Sequence, residues 1–364
     1  MPKRVLVALS GGVDSSVALL KVLEACYEAV GVTMQLWAYR DTNGNQPADN
    51  RCCPEKAVNA ARELCASLGM PHHLLDFQDV FRTAVVDDFI TEYLQGRTPN
   101  PCVRCNRYVK WAALLAQADQ LGADLIATGH YARIETGPDG QPQLLKGVDS
   151  AKEQSYFLWG IPRQALARTL LPLGTMTKVQ ARRIARDHRL ATAQAPESQE
   201  ICFLPDNDYR RFLQEQAMDQ LAKVSEGEIM DEAGRVLGRH RGYVYYTIGQ
   251  RRGLGIAHKE PLYVKSMDPA TNRITVATRP ALFQSACEVE QLNWLVDPLA
   301  TPRLVQARLR YNSPAAPAKL TPQGTTARLV FDEPQLAITP GQSAAFYDGE
   351  ILIGGGIISR ALDA

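Results

Sequence analysis

Residues able to do chemistry gather in three places. Thr98-Pro99-Asn100-Pro101-Cys102-Val103-Arg104-Cys105-Asn106 sets a C-x-x-C pair just ahead of a helical pattern over 107–121, with Arg104 and Arg107 beside it. A helix end and cationic neighbours both favour thiolate over thiol, which makes Cys105 a candidate reactive sulfur. Half a zinc site or two structural cysteines fit the same spacing; no second C-x-x-C occurs and Cys52-Cys53 is wrongly spaced, so a closed four-thiolate site lacks its partner pair. Cys202, in Pro196-Glu197-Ser198-Gln199-Glu200-Ile201-Cys202-Phe203-Leu204, ends a polar approach at an apolar segment, a setting that also suits a buried core cysteine. The third place is the turn Ser10-Gly11-Gly12-Val13-Asp14-Ser15 between an apolar run, Val5 to Leu9, and a helical pattern carried by Val17, Leu20, Val22 and Leu23. Gly11 and Gly12 let peptide N–H groups approach a ligand, and Ser15 or Ser16 is expected to cap the helix whose positive end faces the same point. A phosphate group fits such a cradle. The Lys of a Walker loop and the G-x-G-x-x-G of a dinucleotide fold are both missing from it.

Positioning these groups falls to an alternation of strands and helices. Val5 to Leu9 is apolar throughout, as a parallel strand covered on both faces must be. Ala29 to Met34, His72 to Asp76 and Asp124 to His130 read as further strands, separated by helical patterns over Pro54 to Leu68, Phe81 to Tyr93 and Arg107 to Leu121. That order predicts an α/β fold with a doubly wound parallel sheet, whose ligands sit at the carboxyl ends of the strands, where Ser10, Met34 and Gly129 fall. From Lys146 to about Leu213 the pattern stays helical and more basic; Lys178, Arg182, Arg183, Arg186 and Arg189 share one amphipathic stretch, either a solvated face or an RNA-facing patch. Beyond Glu226 short β-forming runs take over, with a break near Pro280 to Glu288. The expected division is 1–213 for the α/β part, 214–284 for a small mainly β part and 285–364 for a second β module.

The 364 residues are 45% hydrophobic and carry a net charge of +1, so the chain can bury a large core but draws a polyanion only through a local site. No apolar run reaches membrane-spanning length, and Met1-Pro2-Lys3-Arg4 leads straight into a core strand; cytoplasm is the expected compartment and no membrane partner is expected. Eight cysteines in such a chain do not suggest a disulfide scaffold. Trp37, Trp111, Trp159 and Trp294 read as core.

Ser10-Gly11-Gly12-Val13-Asp14-Ser15 resembles the S-G-G-x-D-S loop of the ATP pyrophosphatases, the PP-loop enzymes. Together with Thr98 to Asn106, Thr128-Gly129-His130-Tyr131-Ala132, Gln154 to Leu158, Ser198 to Phe203, Tyr246-Thr247-Ile248-Gly249-Gln250-Arg251, Arg310-Tyr311 and Thr339 to Ser343, it is similar, in order and over essentially the whole chain, to the motifs of the bacterial tRNA 2-thiouridylases (MnmA family). The resemblance implies a PP-loop domain followed by two β domains, the last a β-barrel, and an enzyme that uses ATP to replace the C2 oxygen of a tRNA wobble uridine with sulfur. It implies ATP contacts from Ala8, Leu9, Ser10, Gly11, Gly12, Val13, Asp14, Ser15, Met34 and Gly129, with Asp14 near an accompanying Mg2+. It assigns a persulfide to Cys202, loaded by a cysteine desulfurase or sulfur-relay protein, and the nucleophile to Cys105, leaving a Cys105–Cys202 disulfide for a reductant to reopen. The tRNA contacts it implies are Asn100, Pro101 and Cys102 at the target base, His130 beside it, then Lys152, Glu153, Gln154, Arg310, Tyr311 and Gln342, in a protein expected to be monomeric. His130 also reads as a structural histidine and Tyr311 as core packing. The chain departs from the family at Cys102, where Asp is usual; a thiol of ordinary pKa does not do a carboxylate's proton chemistry, so the acid/base group is left open. Cys102, Cys105 and Cys202 as three ligands of an iron-sulfur cluster is the alternative to the persulfide, which is preferred because no spacing demands a metal. Two rival readings are an amidotransferase or synthetase on the same nucleotide fold, which needs no paired thiols, and a non-catalytic RNA-binding or sulfur-carrier protein.

Overall fold

The structure, a computed structural model, describes residues 2–37, 55–195, 201–204 and 206–362. Cys52-Cys53, the expected helix start at Pro54 and Pro196 to Glu200 lie outside them. The chain opens with β1 (Arg4–Ala8), β2 (Glu28–Gln35), β3 (His72–Asp76) and β4 (Leu125–Ala127), then, past a hairpin of β5 (Ala132–Thr136) and β6 (Pro142–Lys146), β7 (Thr169–Leu170). A parallel sheet of order β3-β2-β1-β4-β7 results. Its two faces explain the unbroken apolar run of the first strand. Val5, Val7 and Leu9 pack with Leu19 and Val22 of the helix Val13–Glu24 and with Ala61 and Cys65 of the helix Glu55–Ser67. Leu6 and Ala8 alternate to the opposite face, into a cluster with Phe81, Phe89, Val109 and Trp111. With helices on both sides the sheet is doubly wound, as expected.

The helix carrying the cysteine pair begins earlier than the sequence pattern suggests. Pro101, preset for a first helical position, starts it, so Cys102 and Cys105 lie inside its opening turns rather than ahead of them. From Cys105 to Ala113 the winding widens to the π form before returning to α over Leu114–Gln120. Such widening disturbs the 3.6-residue register and recurs at functional sites.

Past the helices Lys178–Asp187, Tyr209–Gln216 and Met218–Leu221 the chain is mainly β. A four-stranded sheet combines β8 (Gly227–Met230), β9 (Val236–His240), β10 (Leu262–Asp268) and β11 (Arg273–Thr278) in the order β10-β11-β8-β9. Then β12 (Phe283–Trp294), β13 (Arg303–Arg308), β14 (Ala316–Gln323), β15 (Thr326–Leu336), β16 (Ser343–Asp348) and β17 (Ile351–Leu362) form an antiparallel barrel, closed where β12 pairs with β17. Closure removes the edges on which another chain would pair. The hairpin β5–β6, which the sequence pattern does not reveal, joins the barrel where Leu145 lies opposite Ile351. No described helix is long and apolar enough to cross a membrane.

The barrel is fastened to the α/β part. Asn293 donates from Nδ2 to the carbonyls of Trp159 (2.6 Å) and Ile161 (2.9 Å). A Cβ on Gly355 would come within 2.6 Å of Trp159 Cγ, so only glycine lets β17 lie against that indole. Arg97 bridges Glu92 and Glu290, and Arg104 joins Asp88 to Gln291. These contacts place the barrel rim against the loop that leads into the cysteine-bearing helix.

Candidate active site

The glycine turn follows β1 at the carboxyl edge of the sheet. Gly11 has φ +69°, a region nearly closed to residues with a Cβ, and a Cβ there would lie 2.6 Å from Ala57 Cα. The expected serine cap does not form: Gly12 takes the cap position without a side-chain bond. Ser15 and Ser16 sit one turn inside, and their hydroxyls donate back to the Gly12 carbonyl at 3.1 and 3.0 Å. Ser15 Oγ also accepts from the Ser10 amide at 3.1 Å, which holds the turn closed. The serines therefore shape the cradle and leave the helix start to backbone N–H groups, the arrangement that attracts phosphate.

Two further residues complete this corner. Gly129, just past β4, abuts the turn so closely that a Cβ would be 2.8 Å from the Asp14 carbonyl carbon. Met34 lies next to the carboxyl end of β2 on the same edge, partly buried against the core. Asp14 is not left to solvent: Lys178 Nζ reaches its carboxylate oxygens at 2.7 and 2.6 Å, and the Tyr131 hydroxyl donates to Oδ1 at 2.7 Å. Lys178 thus leaves the basic stretch in which its sequence context placed it. Thr177 and Gln180 form a capping box at the start of the helix Lys178–Asp187 and fix the lysine as its first residue, while Arg183, Arg186 and Arg189 stay on the exposed face.

The thiols lie next to this corner. Cys105 is buried, Cys202 is half-buried, and Cys102 reaches solvent while protein surrounds it on most sides. Burial, and then the charge Cys202 carries as thiolate, push the Cys102 pKa up to about 11; Lys110 pulls the other way. Cys102 and Cys202 therefore share one crevice, and the cation facing it is Lys110. Arg104 is turned away onto Asp88, and Arg107 lies over the Tyr108 ring. Lys110 does not stand out in the sequence because the π-wound segment disrupts the periodicity that would show its face. Among the described residues no three His, Cys, Asp or Glu side chains converge as metal ligands, which gives Cys102, Cys105 and Cys202 no support as the donor set of a cluster.

His130 links thiols to cradle. It follows Gly129 directly, its Nδ1 is 2.8 Å from Thr128 Oγ1, its ring is 5.5 Å from that of Trp111, and Lys110 acts on it as on Cys102. Burial first, then Lys110, holds its pKa well below the ordinary value, so the ring is neutral at physiological pH. The unfolded chain takes up a proton near about 6.5 that the folded site refuses, so this contribution to stability is complete above that pH and declines as pH falls below it. Denaturant titrations at pH 5 to 7.5 should show a shallower acid decline for His130→Asn than for the unaltered chain; equal slopes would mean that His130 protonates freely.

The other residues expected at an RNA surface divide in two. Asn100, Lys152 and Tyr311 are partly accessible, and the Tyr311 ring lies tilted by 35° against that of Phe157 with centroids 4.5 Å apart. Pro101 is buried at the helix start. Gln154 Oε1 accepts from the Tyr131 amide at 3.0 Å. Glu153 is buried, accepting from the Ser155 amide at 2.5 Å and from Arg308 at 2.9 Å. Arg310 donates to the Ala337 carbonyl at 2.8 Å and to Thr339 Oγ1. Gln342, in a barrel loop, donates to the carbonyls of Thr98 and Pro99 at 2.9 and 3.0 Å. These last polar ends hold protein to protein.

Family models match the chain in three consecutive parts: a tRNA methyl transferase HUP domain over residues 3–206, a tRNA methyl transferase PRC-barrel domain over 212–278 and an aminomethyltransferase beta-barrel domain over 284–358. The tRNA-specific 2-thiouridylase MnmA of Geotalea uraniireducens is 46% identical over 363 residues, covering 99% of this chain and 96% of the relative. That of Carboxydothermus hydrogenoformans is 48% identical over 364 residues, covering 99% and 98%. Among solved structures, a 4-thiouridine synthetase in complex with RNA and bound ATP matches at 18% identity and TM-score 0.38, over 60% of this chain and 52% of its own, too distant to bear on the chemistry.

Proposed function

Because the chain belongs to the family of tRNA-specific 2-thiouridylases, we propose that it is a tRNA sulfurtransferase that converts a wobble uridine to 2-thiouridine at the expense of ATP. The observation that carries this reading is contiguity. The Gly11 turn touches Gly129, Gly129 leads to His130, and His130 and Cys102 share Lys110 as a charged neighbour, with Cys202 beside Cys102. A site that activates a carbonyl and a site that delivers sulfur must be this close, because an O-adenylate exposed to water hydrolyses.

Oxygen is a poor leaving group from a pyrimidine carbonyl. In the proposed reaction O2 of the uridine attacks the α phosphate of ATP, pyrophosphate departs, and the resulting adenylate turns that oxygen into part of AMP. The terminal sulfur of a Cys202 persulfide then attacks C2 and AMP leaves. Cys105 thiolate attacks the Cys202 sulfur and breaks the S–S bond, which frees the thiocarbonyl and joins Cys105 to Cys202. A two-electron thiol reductant reopens that disulfide, and a cysteine desulfurase or sulfur-relay protein reloads Cys202. Backbone N–H groups at Gly11 to Asp14 cradle the phosphates. Mg2+ would arrive on the nucleotide; Asp14, held by Lys178 and Tyr131, offers it at most a shared carboxylate. A protonated Cys102 donates a hydrogen bond to the base rather than acting as a base. The chain is taken to work as a monomer, in a reducing compartment such as the cytoplasm, where its thiols stay free between turnovers.

The test is incubation of unmodified tRNA with ATP and a persulfide donor, followed by nucleoside mass analysis. The expected product carries sulfur at C2 with one AMP formed per thionucleoside; a folded, sulfur-loaded protein that leaves oxygen there would defeat the proposal.

A further inference from the structure

Lys110 faces the thiols, and the reaction set out above gives it no task. It lies in the π-wound segment Cys105–Ala113, and the winding decides its direction. In an α-helix, at 3.6 residues per turn, two residues five apart stand about 140° apart around the axis. The π form closes its turn from i to i+5, so Lys110 comes round to the side of Cys105 and, about two turns along, of Cys102. Its neighbours agree with that direction: the charge of Lys110 bears on Cys102 in its own helix and on His130 after β4. Trp111, next in the chain, is fully buried, with its ring 5.5 Å from that of His130 and its Nε1 donating to Thr169 Oγ1 at 3.0 Å, so the backbone carrying Lys110 is anchored. The ammonium is also not neutralised. Among the described residues no carboxylate meets it, whereas Lys178 lies 2.6 Å from Asp14 and Lys265 2.7 Å from Glu232. The other groups near the thiols bring no charge to them: Arg104 is held on Asp88 at 3.0 Å, Arg107 lies over Tyr108, His130 is neutral, and Asn106 is an amide whose Nδ2 donates to the Phe157 carbonyl at 3.0 Å. A partly buried cation without a counter-charge beside partly buried thiols favours the ionised sulfur.

We propose that Lys110 is a further catalytic residue, whose ammonium stabilises the sulfur anion in the crevice: the terminal sulfur of the Cys202 persulfide while it attacks C2, and Cys105 while it attacks the Cys202 sulfur. The inference rests on the sulfur-transfer reading above and adds a residue to it. Both steps begin from an anionic sulfur, and burial alone favours the protonated form, as it does at Cys102. A fixed cation offsets that penalty electrostatically, and no proton or electron pair passes through it. Two features favour sulfur over the nucleotide phosphates as the anion that Lys110 serves. The phosphate cradle has a cation of its own, Lys178 on Asp14, and Lys110 belongs to the segment that opens with Cys105.

Lys110 is partly accessible, so a neutral side chain there should leave the fold intact; thermal midpoints check this, and Lys110→Gln is made alongside Lys110→Met so that one destabilised variant does not decide the matter. The reduced full chain and its variants are alkylated with iodoacetamide from pH 6 to 10, and the rates at Cys105 and Cys202 are resolved by peptide mass mapping, with exposed Cys26, which precedes β2, as the internal reference. In both neutral variants the pH midpoints of Cys105 and Cys202 should move up by about one, with rates at pH 7.5 about tenfold lower, while Cys26 is unmoved. Formation of 2-thiouridine by persulfide-loaded protein should fall about 10- to 100-fold, and Lys110→Arg should restore both the thiol profiles and the transfer rate. Unchanged thiol profiles in the neutral variants overturn the proposal, including where thiolation falls together with pyrophosphate release, since Lys110 would then serve the nucleotide. An Arg variant that recovers the thiol profiles but not the transfer overturns it too, because a proton donor rather than a charge would be at work. Shifted thiol profiles in a chain that never thiolates tRNA would sink the functional reading while Lys110 kept its hold on the sulfurs.

Discussion

Cys105→Ser and Cys202→Ser should each lower formation of 2-thiouridine by on the order of 10³-fold or more, since each removes a sulfur that must form or break a bond. Adenylation should survive in both, because the cradle at Gly11 and Gly129 is built without either thiol. The readout is paired: nucleoside mass analysis for sulfur, and pyrophosphate release with tRNA present for adenylation. An amidotransferase or synthetase on the same nucleotide fold would retain full activity in both variants. Cys102 separates the roles further. With its pKa pushed up to about 11, its thiol is overwhelmingly protonated at pH 7.5, so it is a poor nucleophile. Cys102→Ser keeps a hydroxyl donor in the same place and should cost far less, within about tenfold, the range of one neutral hydrogen bond. A Cys102→Ser enzyme as dead as Cys105→Ser would move the nucleophile to Cys102 and overturn the assignment.

How far the sequence reveals this arrangement depends on whether the relevant signal is local. The first strand is legible because burial on both faces leaves no polar position between Val5 and Leu9, and the small-residue turn after it because few residue types tolerate its backbone. Strands in the C-terminal half are legible as short β runs, but not the closure of β12 on β17 or the parallel pairing of β11 with β8, which depend on partners distant in the chain. The β5–β6 hairpin is hidden because its partner strand ends the chain, more than two hundred residues later. Lys178 shows the same limit at one residue. Helical periodicity identifies an exposed face, yet the first residue of a helix points along its axis, here to Asp14. Lys110 is hidden for a different reason, because π winding breaks the spacing on which face assignment rests. Where chemistry is set by one strand, one turn and one short motif, residue types suffice; where it is set by a contact between distant segments, they do not.

The cradle itself yields the other large effect. Gly129→Ala would place a methyl group 2.8 Å from the carbonyl carbon of Asp14 and 2.9 Å from the Ser15 amide nitrogen, both backbone atoms that cannot rotate away. Either β4 or the turn must retreat, and β4 is locked in the sheet between β1 and β7. The turn therefore moves, at a cost of about 1–3 kcal/mol typical of overpacking. Its N–H groups lose their common focus, and the KM for ATP should rise at least about tenfold, since oriented donors are what such a site supplies. Gly11→Ala adds a left-handed backbone to a clash with Ala57, with about 1–2 kcal/mol from the backbone alone. Gly140, at φ +76° and with nothing within 4 Å of where a methyl group would stand, isolates the backbone cost. Gly140→Ala should lose comparable backbone stability and leave the KM for ATP unchanged. Initial rates of pyrophosphate release against ATP concentration, with denaturant midpoints for all three variants, separate strain from binding. If Gly129→Ala binds ATP as well as Gly140→Ala does, the nucleotide does not lie against this turn, and the contiguity between activation and sulfur delivery is lost with it.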